Sequence, residues 1–226
     1  MLTLLLGTPK AITQTDNLGP AADGLTLRGI GPALMGGRIA DIAVSPDHPS
    51  TWYVAAGSGN LWKTDNAGIT WQPVFDQQNA YSIGTVSIDP QQPSTVWVGT
   101  GENVSGRHVG WGDGIYKSTD AGTTWQNMGL KQSEHIGKIL IDPRNSEVVL
   151  VAAEGPLWSA GGERGVYKTV DGGQSWEQVL HIDENTGVTD LEFDPSNPDV
   201  IYAAAYQRRS KIWSLLGGGP KSGIYK

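Results

Sequence analysis

The chain is expected to be all-β, an open arc of a larger β-propeller made of four-stranded antiparallel blades, about four present and the last incomplete. Three observations predict this. A Ser/Thr-x-Asp/Asn-x-Gly-x-x-Trp segment recurs at 64–71, 118–125 and 169–176. An Ile-rich strand ending in Asp-Pro or Ser-Pro recurs at 39–46, 83–90, 136–143 and 188–195. The intervals between these elements are constant except for one.

Each repeat reads as strands A to D. Strand A closes at Pro46, Pro90, Pro143 or Pro195, and seven residues later comes a strand B anchor: Tyr53, Trp97, Leu150 or Tyr202. Strand C ends at Lys63, Lys117, Lys168 or Lys226, and in complete repeats a Trp follows eight residues on. From that Trp to the next strand A Pro the distance is 19, 18 and 19. Only B to C varies, at 10, 20, 18 and 24. A period of about 50–58 residues with four short strands is a propeller blade; WD40 repeats are shorter, and their Gly-His to Trp-Asp signature is missing. A tandem of small sandwiches would not need such fixed turns. The blades are expected at about 38–75, 82–130, 135–181 and 187–226, within a propeller region 27–226.

Composition agrees. The 226 residues hold 31 Gly, 9 Trp and only 2 Phe, a bias given by short strands with Gly-rich turns and Trp-filled gaps between sheets. A net charge of −7 argues against a nucleic-acid surface. With no Cys there are no disulfides or thiolate metal sites, and no metal or cofactor is expected. No apolar run reaches the length of a membrane span. Residues 1–26 form a separate N-terminal segment, in which Leu2 to Leu6 fit either a clipped signal peptide or a strand. The first alternative implies export to the periplasm or the extracellular space.

In a meander, A–B and C–D turns share one end of the blade, and B–C and D–A connections share the other. Constant turns mark the scaffold end, and loops of free length mark the binding end. The long B–C loops, roughly 100–113, 154–164 and 206–222, should therefore cluster on one face.

The repeated turn has a structural role. Ser118 and Asp120 accept hydrogen bonds from turn N–H groups, Gly122 takes a positive φ, and Trp125 anchors strand D. Thr169, Asp171, Gly173 and Trp176 do the same, as do Asn66, Gly68 and Trp71 in the first repeat, where Asn replaces Asp. A metal-ligand or acid role for these aspartates would need neighbouring carboxylates, and none is close in sequence.

These segments resemble the Asp-box (BNR-repeat) propeller superfamily, and most of all bacterial proteins with a sortilin-like, VPS10-type propeller. I-G-P-A-L-M-G-G-R-I-A-D-I at 30–42, G-T-G-E-N at 99–103, W-G-D-G-I-Y-K-S-T-D-A-G at 111–122 and E-R-G-V-Y-K-T at 163–169 carry the resemblance. It implies the fold but no single activity, because sialidases, xyloglucanases, sortilins and photosystem assembly factors share such repeats. Similar xyloglucanases have a catalytic Asp just after the first strand B, where this chain reads A-A-G-S-G at 55–59. Arg38-Ile39-Ala40 has only the first two residues of the sialidase Arg-Ile-Pro motif. The resemblance to sortilins implies peptide or ligand binding.

Candidate site residues collect in the B–C loops. The second loop holds Glu102, Arg107, His108, Trp111 and Asp113; the third holds Glu154, Trp158, Glu163 and Arg164; the fourth holds Arg208, Arg209, Lys211 and Trp213. Arg38 opens a strand A near the same face. One reading is an anion or carboxylate site lined by arginines and aromatic rings. The other is that acidic residues pair with these arginines to hold long loops in shape. His108 is read as a loop hydrogen-bonder rather than a general base. Asn103-Val104-Ser105 is a glycosylation sequon without meaning in a bacterial protein. A hydrolase would need two carboxylates about 5–10 Å apart; Glu102, Asp113, Glu154 and Glu163 are the candidates. The reading adopted is a non-catalytic, exported propeller that binds a protein, peptide or glycan ligand through its loops. A sialidase- or xyloglucanase-like glycoside hydrolase completed by further blades is the alternative.

Overall fold

The computed structural model describes residues 37–104 and 106–226; the N-terminal segment with Leu2–Leu6, most of the 30–42 motif and Ser105 of the sequon lie outside them. It has four antiparallel four-stranded sheets. Blade 1 is β1 (Ile39–Val44), β2 (Trp52–Ala56), β3 (Asn60–Thr64) and β4 (Gln72–Pro73). Blade 2 is β5 (Ile83–Ile88), β6 (Val96–Thr100), β7 (Ile115–Ser118) and β8 (Gln126–Gly129). Blade 3 is β9 (Ile136–Ile141), β10 (Val149–Ala153), β11 (Gly165–Thr169) and β12 (Glu177–Leu180). Blade 4 is β13 (Thr186–Asp194), β14 (Asn197–Lys211), β15 (Ser214–Gly217) and β16 (Gly223–Tyr225).

The fourth sheet departs from the others. The expected free loop at 206–222 is a hairpin: β14 runs on to Lys211 and pairs with β15, and β16 then returns to pair with the lower part of β14 at Ala203–Ala205. The β-branched and aromatic spacing that signals a strand stops at Tyr206, so the extension through Gln207–Lys211 is invisible to pattern reading. Its strands hold the A, B and C positions of a blade plus this inserted hairpin.

Strand A of each blade packs against strand A of the next, so β1, β5, β9 and β13 line a common axis. Glycine makes that approach possible. A Cβ on Gly84 would meet the Ile136 carbonyl oxygen, and one on Gly137 would meet that of Thr189. Three apolar clusters fill the arc. One is centred on Tyr53, Phe75 and Val98, the next on Trp97, Ile136 and Val151, the third on Leu150, Val188 and Leu191. Each takes residues from two adjacent blades, so no blade buries its own faces alone.

The two ends of the blades differ as the intervals predict. The fourth residue of each repeated turn segment donates its N–H to the preceding A–B turn: Ala67 to Ser50, Ala121 to Ser94 and Gly172 to Glu147. Both constant turns therefore share one end. At the other end, B–C loops bond to D–A connections, as Gly112 to Glu134, Glu163 to Gln132 and Gly161 to Glu184.

The turn segments are built alike. Ser118 Oγ accepts from the Gly122 N–H at 2.9 Å and donates to Asp120 Oδ1 at 2.8 Å, while Asp120 accepts from Thr124 N–H and Oγ1. Thr169, Asp171, Gly173 and Ser175 repeat these bonds, and Thr64, Asn66, Gly68 and Thr70 repeat all but the last, where Asn66 Nδ2 instead donates to Thr70 Oγ1 at 2.8 Å. These hydrogen bonds, led by those from Thr124, hold the Asp120 carboxyl down at about 2. Asp171 is lowered for the same reason, with Ser175 leading. Gly68, Gly122 and Gly173 take positive φ, as expected, and the residue before each does too: Ala67 at 54°, Ala121 at 57° and Gly172 at 68°.

Candidate functional site

The long loops meet on one face. Arg208 Nη1 of β14 donates to the Val104 carbonyl oxygen in the second loop at 2.8 Å, and its Nη2 lies 2.9 Å from Glu154 Oε2 in the third. Ser210 N–H donates to the Leu157 carbonyl oxygen at 2.8 Å. Arg107 Nη1 of the second loop reaches the Ile212 carbonyl oxygen at the hairpin tip at 3.2 Å. The three loops therefore behave as one assembly, knotted from blade 4.

Beneath it lies a buried polar cluster. Glu154, Arg164, Arg208 and His135 are each under 5% exposed. Arg164 donates to the carbonyl oxygens of Glu154 (2.6 Å), Gly161 (2.9 Å), Ser159 (2.9 Å) and Pro156. It closes the third loop on itself, and burial lowers its pKa to about 10. Burial pushes the Glu154 carboxyl up to about 7 against the pull of Arg208 and Arg164. Its Oε1 has no protein partner, and the Arg208 contact to Oε2 is not aligned as a hydrogen bond. An ion pair this deep adds little net stability, because desolvation of the two charges offsets their attraction. His135 Nδ1–H donates to the Glu102 carbonyl oxygen at 3.0 Å, and desolvation, with Arg208 nearby, keeps the ring neutral, its pKa down at about 3.

The other carboxylates are engaged as well. Glu102, 2% exposed, pairs with Arg38 and accepts the Gly110 N–H at 3.2 Å, its carboxylate lying over Gly57. Asp113 Oδ2 accepts the Tyr116 hydroxyl at 2.7 Å. Glu163 Oε2 accepts the Gln132 N–H at 2.7 Å. Arg209 bonds the Asn185 side chain at 3.0 Å. The structure thus joins Arg38 to Glu102 and Arg208 to Glu154 but leaves Asp113 and Glu163 in separate local bonds. Arg107 and His108 are exposed. Trp111, Trp158 and Trp213 point outward from the three loops, 72%, 51% and 80% exposed.

Around the axis lies a polar groove of about 220 Å³. It is lined by one repeat position of the strand A set (Ala40, Gly84, Gly137, Thr189), by Asp41, Lys138 and Asp190 beside them, and by Asn103. Asn103 Nδ2 donates to the Gly84 carbonyl oxygen at 3.1 Å, and among the described residues no arginine lines this groove. Among the described residues no group of three or more His, Asp or Glu could hold a metal ion, and no helix is long and apolar enough to cross a membrane.

Two polar positions bonded at the loop end and the axis escape reading by sequence. His135 sits at the start of strand A, where it looks like a strand flank. Its repeat equivalents are Arg38, Ser82 and Gly187, so three of the four positions are polar, a bias that alignment of the repeats could have flagged. Asn103 is visible only as a sequon, since its real role needs the axis that the fold creates.

The family model described as Sortilin, neurotensin receptor 3 (Sortilin-Vps10) matches residues 113–214. Among curated proteins, "Xyloglucanase Xgh74A" of Acetivibrio thermocellus is 22% identical over 218 residues, covering 81% of this chain and 25% of that protein. The "Xyloglucanase" of Hypocrea jecorina is 26% identical over 158 residues, covering 64% and 18%. The chain spans about a quarter of the length of the curated relatives it matches. Among solved structures, an ancestral GH74 enzyme superposes with TM-score 0.58 at 18% identity, covering 78% of this chain and 23% of that one. An auxiliary nutrient binding protein from Bacteroides thetaiotaomicron superposes with TM-score 0.54 at 12% identity, covering 86% and 42%. At these identities the structural likeness is one of fold.

Proposed function

We propose that this chain is the glycan-binding part of a glycoside-hydrolase-like propeller, in which the joined B–C loops present Trp111, Trp158 and Trp213 to a polysaccharide. The carrying observation is that each of the three mutually bonded loops carries an exposed tryptophan. Exposed rings with little else to pack against are the surface sugars stack on, through their C–H-rich faces. That curated relatives are xyloglucanases supports a β-glucan such as xyloglucan as the ligand class. This places the enzyme-like alternative ahead of a purely non-catalytic scaffold. A polysaccharide does not cross a membrane intact, so the reading carries a periplasmic or extracellular location.

The four loop carboxylates are assigned to loop architecture rather than to acid–base chemistry, because each is already held by an arginine, a hydroxyl or a backbone N–H. In this reading none of these four serves as the acid or base of a hydrolytic pair. A second reading, a peptide-binding scaffold, draws support from the sortilin family match over residues 113–214.

Calorimetric titration of the full-length protein with xyloglucan oligosaccharides tests the reading. Binding in the micromolar to millimolar range is expected, lost at least tenfold in Trp111→Ala or Trp213→Ala and retained in Glu163→Gln. No glycan binding, with binding of a peptide library instead, would favour the scaffold.

A further inference from the structure

The tryptophan face is carried by loops from three blades, and loops of this length do not hold their mutual positions unaided. One side chain touches both loops from the third. We infer that Arg208 is the positioning residue of the face: anchored in β14, its guanidinium sets the second loop through Val104 and the third through Glu154, and so determines the spacing of Trp111, Trp158 and Trp213. The inference rests on the glycan-binding reading of that face.

Several observations converge on this role. The guanidinium is 4% exposed and the facing Glu154 carboxylate 3%, so the contact is shielded from solvent and counter-ions. The fork geometry of Arg lets two nitrogens address two loops at once, which a lysine cannot do. Two further contacts brace the same junction: Ser210 N–H to the Leu157 carbonyl oxygen, one residue before Trp158, and the Arg107 guanidinium to the Ile212 carbonyl oxygen, one residue before Trp213. β14 continues into the hairpin that bears Trp213, so displacement at Arg208 moves all three rings together. The unaligned ion pair and the unpartnered Glu154 Oε1 mark a contact kept for position, since burying unmatched polar atoms costs stability.

The experiment uses the full-length protein, a xyloglucan oligosaccharide as probe, and the variants Arg208→Met, Trp111→Ala and Trp158→Ala, singly and combined. Arg208→Met is expected to weaken binding at least tenfold. It should raise amide hydrogen exchange in 102–110 and 154–160 while β6 and β10 keep their protection. Added to Trp111→Ala it should cost clearly less than it does alone, because one of the three rings it positions is already gone. Affinity within twofold of wild type, unchanged loop exchange, or a double loss equal to the product of the single losses would overturn the inference. Should Arg208→Met fail to fold, Arg208→Lys carries the test on the same criteria, with an intermediate loss expected. If the tryptophan variants bind like wild type, the glycan reading fails, and loop exchange alone still decides whether Arg208 positions the loops.

Discussion

Trp176 donates its indole N–H to the Met128 carbonyl oxygen at 2.7 Å, which fastens the turn segment of blade 3 to the outermost strand of blade 2. Trp125 does the same one blade earlier, to Val74 at 2.7 Å, with its ring edge-on to Phe75 at 5.1 Å. Trp71 instead leans on Trp52 of its own blade at 6.5 Å and is 38% exposed. Equivalent residues in sequence therefore carry unequal loads. Trp176→Phe should cost about 1 kcal/mol for the hydrogen bond, and Trp176→Ala about 3 kcal/mol. Trp71→Ala should cost about 1 kcal/mol, since much of its surface stays in water. Urea denaturation of the three variants checks the ranking; equal losses would refute the inter-blade role.

The turn segments can be tuned. Asp120→Asn should be mild, because Asn66 already fills the equivalent position, accepting the Thr70 N–H and donating to the Thr70 hydroxyl, whereas Asp120→Ala loses the bonds to Thr124 and should lower Tm clearly. Since the folded carboxyl is depressed, the stability it confers is present above its ordinary pKa of 3.8 and is lost as pH falls through about 2. Ala121→Gly should raise stability by about 0.5–1 kcal/mol, because Ala121 is held at φ 57° where Gly172 stands in the next blade. Thermal melts at neutral and acid pH read both effects.

The axis tolerates no added carbon at Gly137. A Cβ there would meet the Thr189 carbonyl group, wedging the innermost strands of blades 3 and 4 apart. Gly137→Ala should destabilise by about 2 kcal/mol or more. Gly223→Ala, with nothing within 4 Å of the added carbon, should stay within about 0.5 kcal/mol. Similar losses in both would show that the inner strands are not in contact.

Two buried groups oppose each other in acid. Folded Glu154 titrates at about 7 against 4.5 for a free carboxyl, so it keeps a proton the unfolded chain has released, and acidification through that window adds stability. Folded His135 titrates at about 3 against 6.5, so it stays neutral where the unfolded chain is charged, and acidification removes stability. Between pH 6.5 and 4.5 the two contributions run against each other. Glu154→Gln removes the first and should expose a loss of about 2–3 kcal/mol across those two units, at about 1.4 kcal/mol per unit. Urea denaturation at pH 6.5, 5.5 and 4.5 measures it; a profile parallel to wild type would show that Glu154 does not titrate there.

Much of this architecture is legible in the residues alone. The intervals from Pro46 to Tyr53 and from Lys63 to Trp71, repeated down the chain, define four strands per blade and place both constant turns at one end. The hairpin at Arg208–Gly217 is not legible, since nothing in Gln207–Lys211 alternates in hydrophobicity. Nor are the roles of the loop charges. Arg107, Arg164 and Arg208 look alike in sequence, yet one reaches the hairpin tip, one closes its own loop and one joins two others.

The sequence by itself determined the repeat, the strand count and the turn chemistry, because these rest on interactions within about ten residues, where spacing dictates geometry. Which charges pair, which tryptophans stay exposed, and what Asn103 and His135 bond were decided only by the tertiary structure. Those contacts join residues as far apart as Val104 and Arg208, and no local pattern encodes a distance that exists only once the blades stack around a common axis.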